Sequence, residues 1–195
     1  VKTPIHPSAK TLILYYSRTG NNLFLTEKLA QELEADVEAI RPWGNIFGLL
    51  LVFSMIRLSF GIRAVRHDVS RYDRVILCGP IWTGRLISPI RDAIRKYRKR
   101  VREFAFVTAC GSNDDIKDEK FGYGRVFREA KKLAQGKLIH CEAFPVPMAF
   151  PKGKEVDDAE VLNIRLNDIN FGYQLEPRFQ AFVEKVFEAE AELTN

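Results

Sequence analysis

Continuous apolar runs alternate along this chain with apolar positions spaced for helices. LILYY at 12–16 marks a buried strand, placed at Thr11 to Ser17, and the short alternation DVEAI marks a second at Asp36 to Ile40. RVILCG (74–79) and EFAFVTA (103–109) are unbroken runs of the kind a strand covered on both faces needs, and Lys137 to Phe144 adds a fifth. Leu23, Leu25, Leu29, Ala30 and Leu33 space a helix running to about Ala35, with Asn21 or Asn22 as its cap. Leu86, Ile90, Ala93, Ile94, Tyr97 and Val101 share one face of a helix over 86–101. A further helix spans Tyr123 to Gln135 and stops at Gly136, and the last runs from Glu176 to Leu193. Residues 45–65 are expected to be helical. Pro145 to Gln174 is expected to be irregular, with a short helix at Asp157 to Leu166.

Strand and helix alternate throughout, which predicts an α/β fold with a parallel sheet and helices on both faces. In such sheets ligands bind beyond the carboxyl ends of the strands. Three loops qualify: SRTGNN after the first strand, GPIWTG after the third and CGSND after the fourth. No repeat or linker divides the chain, so 1–195 is expected to form a single domain behind a loose leader at 1–10.

Composition adds bounds. The chain is 46% hydrophobic and 28% charged, ordinary for a globular domain, but its net charge is +5 and its pI about 9.1. That excess favours acidic partners or anionic surfaces. Nucleic acid is not expected, since no binding motif accompanies the charge. Cys78, Cys110 and Cys141 are scattered, with no metal-ligand spacing, so no metal site is expected and a reduced, cytoplasmic setting fits. The most apolar stretch, IFGLLLVFSMI at 46–56, is too short to span a bilayer.

SRTGNN has the chemistry of an anion cradle. A helix start offers unpaired backbone N–H groups, Gly20 lets the chain turn closely, and Ser17, Thr19, Asn21 and Asn22 add short donors. It lacks the lysine of a triphosphate loop and the spacing of a dinucleotide loop, so one phosphate monoester fits best. It also lacks the Cys or Asp nucleophile of a phosphatase.

Ser17-Arg18-Thr19-Gly20-Asn21 after an apolar strand resembles the phosphate loop of the flavodoxin family. Tyr72 to Trp82, YDRVILCGPIW, resembles that family's third strand and ring loop, and Phe106 to Gly111, FVTACG, its next strand and glycine loop. The resemblance implies a flavodoxin-like three-layer sandwich with a five-stranded parallel sheet of order 2-1-3-4-5, and FMN as cofactor. Ser17, Arg18, Thr19, Gly20, Asn21 and Asn22 would hold the FMN phosphate. Pro80, Ile81, Trp82, Thr83 and Gly84 would run along the ring, with Trp82 as a stacking partner. Ala109, Cys110, Gly111, Ser112 and Asn113 would pass its other side. No catalytic acid, base or nucleophile is implied, because the ring carries the chemistry.

The function expected is electron transfer between a reductase and an acceptor protein. The alternatives are an FMN-dependent NAD(P)H:quinone-type oxidoreductase and a flavin-free binding module of the same fold. Asp114 and Asp115 are expected to be solvated loop acids, and Cys110 to be packed and inert. Arg91, Arg95, Arg98 and Arg102 fall on one helix face and predict a positive stripe, extended by Lys96, Lys99 and Arg100, for docking an acidic redox partner. The 45–65 segment, apolar nearly all round, is expected first in the core or over the site, next in a homodimer contact, and last on a membrane surface with Arg57, Arg63 and Arg66 at the headgroups.

Overall fold

Strands β1 (Thr11–Tyr15), β2 (Asp36–Ala39) and β3 (Arg74–Cys78) begin the sheet, with helix α1 (Asn21–Glu32) joining the first two and α2 (Phe47–Met55) lying between the second and third. A two-stranded hairpin, β4 (Ile81–Trp82) and β5 (Arg85–Leu86), then leads into α3 (Ser88–Tyr97). β6 (Glu103–Cys110), α4 (Tyr123–Ala134), β7 (Leu138–Pro145), α5 (Asp158–Asn163) and α6 (Asp168–Leu193) complete the chain. This computed structural model describes residues 10–154 and 156–193; the leader expected at 1–10 lies outside them but for Lys10.

The main sheet has the order β2-β1-β3-β6-β7, and every pairing in it is parallel. With the hairpin set aside, this is the expected order 2-1-3-4-5. Side chains alternate to two cores. Leu12, Leu14, Val75, Leu77, Phe104 and Phe106 face α3 and α4; Ile13, Ile76, Ala105, Val107 and Phe144 face α1 and α6. Six apolar positions expected on one helix face, Leu86, Ile90, Ala93, Ile94, Tyr97 and Val101, are all buried.

Several elements differ from expectation for identifiable reasons. The GPIWTG segment is a hairpin, not a loop: Thr83 and Gly84 both take positive φ (50° and 64°), the pair of angles that lets a two-residue turn follow strand twist. α6 begins eight residues before Glu176, and Pro177 sits inside it, so a proline that reads as a start signal falls in a helix already under way. Only 47–55 of the 45–65 segment is helical; the chain then returns past β2 through a bridge between Pro42 and Ile62.

The core position expected for α2 is not what the fold provides. Leu50 and Ser54 are buried, while Ile46, Leu49, Val52, Met55, Ile56 and Leu58 are exposed. Two buried charges pin this segment outward. Arg91 donates to the carbonyls of Leu86 (2.8 Å), Ser54 (3.3 Å), Leu58 (3.3 Å) and Phe53 (3.4 Å), and pairs with Glu129 at 2.9 Å. Asp92 accepts from the amides of Gly61 (2.8 Å) and Phe60 (3.0 Å) and from the hydroxyls of Ser59 and Ser88. Among the described residues, no helix is long and apolar enough to cross a membrane.

Candidate functional site

β1, β3 and β6 are neighbours, so the loops at their carboxyl ends are neighbours too. Tyr15 stands opposite Cys78, and Cys78 opposite Val107. Beyond those pairs the amide of Tyr16 donates to Cys78 (2.9 Å) and that of Gly79 to Val107 (3.2 Å), carrying the register into the loops.

In the first loop, Gly20 holds φ at +97°, which turns the chain into α1. A Cβ there would meet nothing within 4 Å, so backbone angle rather than crowding selects glycine. No side chain caps α1, and its first intrahelical bond is from Phe24 N–H to Gly20 O at 2.9 Å. The N–H groups of Asn21, Asn22 and Leu23 therefore open on the loop. Three residues before Gly20, in the same loop, the Ser17 hydroxyl is buried and without a hydrogen-bond partner among the described residues. A buried orphan hydroxyl in a loop that opens a helix fits an anion.

The side chains of Asn21 and Asn22 are committed elsewhere. Asn22 Nδ2 donates to Ala109 O (3.2 Å) and its Oδ1 accepts from Ala109 N–H (2.9 Å). β3 ends at Cys78, opposite Val107, so the asparagine amide satisfies β6 backbone that no longer has a strand beside it. Asn21 Oδ1 accepts from Leu166 N–H (3.0 Å) and its Nδ2 donates to Ile164 O (3.3 Å). Neither residue caps the helix with its side chain, and each amide spends its oxygen and one N–H on these bonds. These bonds brace the cradle. Thr19 and Arg18 are exposed, and the Arg18 guanidinium lies 4.2 Å from the centre of the Phe47 ring.

The second loop carries Pro80, Ile81 and Trp82 along the hairpin, half-buried. Trp82 meets Phe47 edge to face at 5.1 Å and Tyr16 at 6.0 Å. Tyr16 in turn donates to Asn45 Oδ1 at 2.9 Å. The start of α2 thus stands against both the first and second loops. Thr83 is exposed, while Gly84 is buried under Lys120 and Phe121.

Ala109 and Cys110, in the third segment, end β6 and are buried; Gly111 and Asn113 are exposed, and Ser112 is half-buried. Burial pushes the Cys110 thiol up to about 11, in keeping with packing rather than reactivity. Val161 of α5 approaches Gly111, and the chain just after α5 is tied to Asn21. The long 145–174 stretch therefore covers the first and third loops together, a role its proline-rich sequence does not disclose.

No protein-family model and no curated protein matches this chain. Solved structures do resemble it. A flavoprotein from Lactobacillus acidophilus NCFM in complex with FMN aligns with a TM-score of 0.59 at 19% identity, over 70% of this chain and 93% of that one. A candidate flavoprotein from Bacteroides eggerthii DSM 20697 aligns at 0.58 and 17% identity, over 70% and 89%. The apo form of the Lactobacillus flavoprotein, solved by NMR, aligns at 0.53 and 18%, over 70% and 92%. The fold is flavodoxin-like.

Charges around this flavodoxin-like site are mostly paired. Burial would raise the Asp114 carboxyl, but hydrogen bonds from Arg178 and Tyr123 outweigh it and hold the group below its ordinary value. Asp114 is thus a solvated acid, as expected, that also anchors the third loop to α6 through Arg178; Asp115 is exposed as well. The expected positive stripe on α3 also divides. Arg91 is fully buried, Arg102 pairs with Asp73, Arg100 with Asp68 at 2.8 Å, and Lys96 donates to Ile62 O at 3.1 Å. Arg95 and Lys99 remain exposed.

Proposed function

We propose that this chain binds FMN at the three loops and works as a redox protein, passing electrons between a reductase and an acceptor protein. The observation that carries the reading is the Ser17 hydroxyl, buried and unpartnered in the loop that leads to the uncapped start of α1. Those groups hold the phosphate without a positive side chain. Pro80 to Gly84 would run along the ring, with Trp82 as its stacking partner, and Ala109 to Asn113 would pass its other side. Bound FMN supplies reversible one- and two-electron chemistry. The protein's share is to hold the phosphate, orient the ring and set the polarity around it. Structural similarity to a flavoprotein solved with FMN supports the choice of cofactor.

A second reading, reduction of a small quinone-type acceptor, draws on one contact. Phe47 packs on Trp82, so the apolar α2 begins beside the ring loop and offers a lipophilic acceptor an approach. Oxidation of NAD(P)H with a soluble quinone, set against reduction of an iron–sulfur or haem protein, separates the two.

Ser17→Ala tests the cofactor site. A hydrogen bond to a charged group contributes about 1.5–3 kcal/mol, so FMN affinity should fall by about tenfold or more. Thermal stability of the flavin-free protein should hold or rise, because the hydroxyl has no partner in the fold. Fluorescence titration of FMN reads the first and a melting curve the second. A wild-type protein that leaves FMN fluorescence unquenched would remove the proposal.

A further inference from the structure

We infer that residues 43–58 and the basic groove beside them form one docking surface for an anionic membrane. Trp43 is 67% exposed, and Ile46, Leu49, Val52, Met55, Ile56 and Leu58 are each between 43% and 61% exposed. They follow one another on α2 and its flanks, so the exposure is a platform and not scattered single residues. Cations frame it. The Arg18 guanidinium lies over Phe47 at 4.2 Å and that of Arg63 over Trp43 at 5.7 Å.

At the far end of α2, Arg57, with φ at +59°, links the platform to a groove of about 520 Å³ that it also lines. Arg85 comes to this groove from the hairpin, Arg95 from α3 and Arg98 from just past its end, and Arg125, Arg128 and Lys132 from α4. Glu129 is the one carboxylate in the lining, and it is already shared between Arg91 and Arg57. Arg85, Arg95 and Lys132 have no carboxylate partner among the described residues. Arg98 donates through Nη1 to Leu133 O at 2.9 Å, which leaves its Nε–H buried and unpartnered. A groove lined in this way attracts phosphate oxygens.

Three occupants compete, and charge decides among them. A second copy of this chain would cover the apolar platform but bring Arg18, Arg57 and Arg63 near their own like charges. An acidic protein would answer the groove but leave the tryptophan and the aliphatic side chains in water. A bilayer carrying anionic headgroups meets both needs at once: the aliphatic side chains enter the headgroup–acyl boundary and the arginines stay at the phosphates. The docking does not depend on bound flavin.

The full chain should co-sediment with phosphatidylcholine vesicles carrying about one third phosphatidylglycerol, bind neutral phosphatidylcholine vesicles far more weakly, and be released by salt. Met55→Glu with Ile56→Glu should lower partitioning at least about tenfold. Arg95→Glu with Lys132→Glu should lower it more than about twentyfold, at about fivefold for each cation lost. All four side chains are exposed, so urea midpoints should stay at the wild-type value. Equal binding to neutral and anionic vesicles, or variants that bind as well as wild type, would overturn the proposal. So would wild type that stays in the supernatant while self-associating in sedimentation velocity, with M55E/I56E monomeric, since that result assigns the platform to a second copy.

Discussion

Replacing Asn22 should damage the fold before it damages any ligand contact. The residue is 3% exposed, and its side-chain amide bonds both backbone groups of Ala109, itself buried. Asn22→Ala leaves the Ala109 N–H and C=O without partners at a point where β3 has already ended. Each orphaned buried group costs about 1–3 kcal/mol. A water entering the space left by the amide would recover part of that, so the net loss should be about 2–4 kcal/mol. Asn22→Asp sharpens the test. An ionised carboxylate can still accept from Ala109 N–H but faces the Ala109 carbonyl with no donor, whereas a protonated one donates as the amide did. Its folded pKa is therefore raised above the unfolded value, so the variant should approach wild type in acid and lose stability as pH rises through the folded pKa. Urea unfolding at pH 4 and pH 7.5, followed by circular dichroism, gives both numbers. An Asn22→Ala loss below about 0.5 kcal/mol would show that Ala109 needs no side-chain partner, and a pH-independent Asn22→Asp would refute the proposed pairing.

Arg91→Ala should cost about 3–5 kcal/mol in chemical unfolding, because it leaves Glu129 and four carbonyls without their donor. Arg91→Lys should recover only part of this, since one ammonium cannot span that set. Gly84→Ala should cost at least about 2 kcal/mol, combining a left-handed backbone with a Cβ only 2.3 Å from Lys120 O; a melting temperature equal to wild type would refute the hairpin geometry. The Asp114 carboxyl sits below its ordinary 3.8 in the folded state, so the stability it contributes is present above that value and is lost as pH falls through its folded pKa. Asp114→Asn should flatten the fall in urea midpoint between pH 5 and pH 3, and an unchanged slope would place the acid loss elsewhere.

The sheet was legible because parallel strands buried on both faces must be unbroken apolar runs, and LILYY, RVILC and EFAFVTA are such runs. Their order gave the three neighbouring loops from which the candidate site is built. What escaped depends on partners far away in the chain. Asn21 and Asn22 read as cradle donors because their types suit a helix start; their actual partners, at 164, 166 and 109, lie about ninety to one hundred and forty-five residues on. Arg91 shares its helical spacing with Arg95 and Arg98, yet it turns inward because α2 and α4 supply carbonyls and Glu129 there. The hairpin strands are two residues each, too short for alternation to register, although Thr-Gly between Trp82 and Arg85 was a turn signal.

The segment 43–58 shows why apolar character does not by itself decide burial. A helix of nine residues can bury one face on α3 and the hairpin, and Leu50 with Ser54 fills that contact. Covering the opposite face would need another layer, and the described chain has none there. Ser54 makes the inward face polar as well: its hydroxyl donates to Leu50 O at 2.6 Å and accepts from Ser88 N–H at 2.9 Å. Arg91 and Asp92, adjacent on α3, then bond the backbone on both sides of Leu58 and fix the turn after α2. A buried arginine and a buried aspartate are costly to place in a core unless fully bonded. Here their bonds go to the backbone of an otherwise weakly packed segment, so the charges set the direction in which the apolar side chains point. Arg91→Leu should therefore do more than destabilise. It should free α2 from its outward pose, which hydrogen exchange would register under native conditions as a gain in exchange at Leu50 to Ile56 larger than the gain at β3 and β6, which report only the global loss. Protection at 50–56 equal to wild type would mean that Leu50 and Ser54 suffice to hold the helix and that the charge network serves α4 instead.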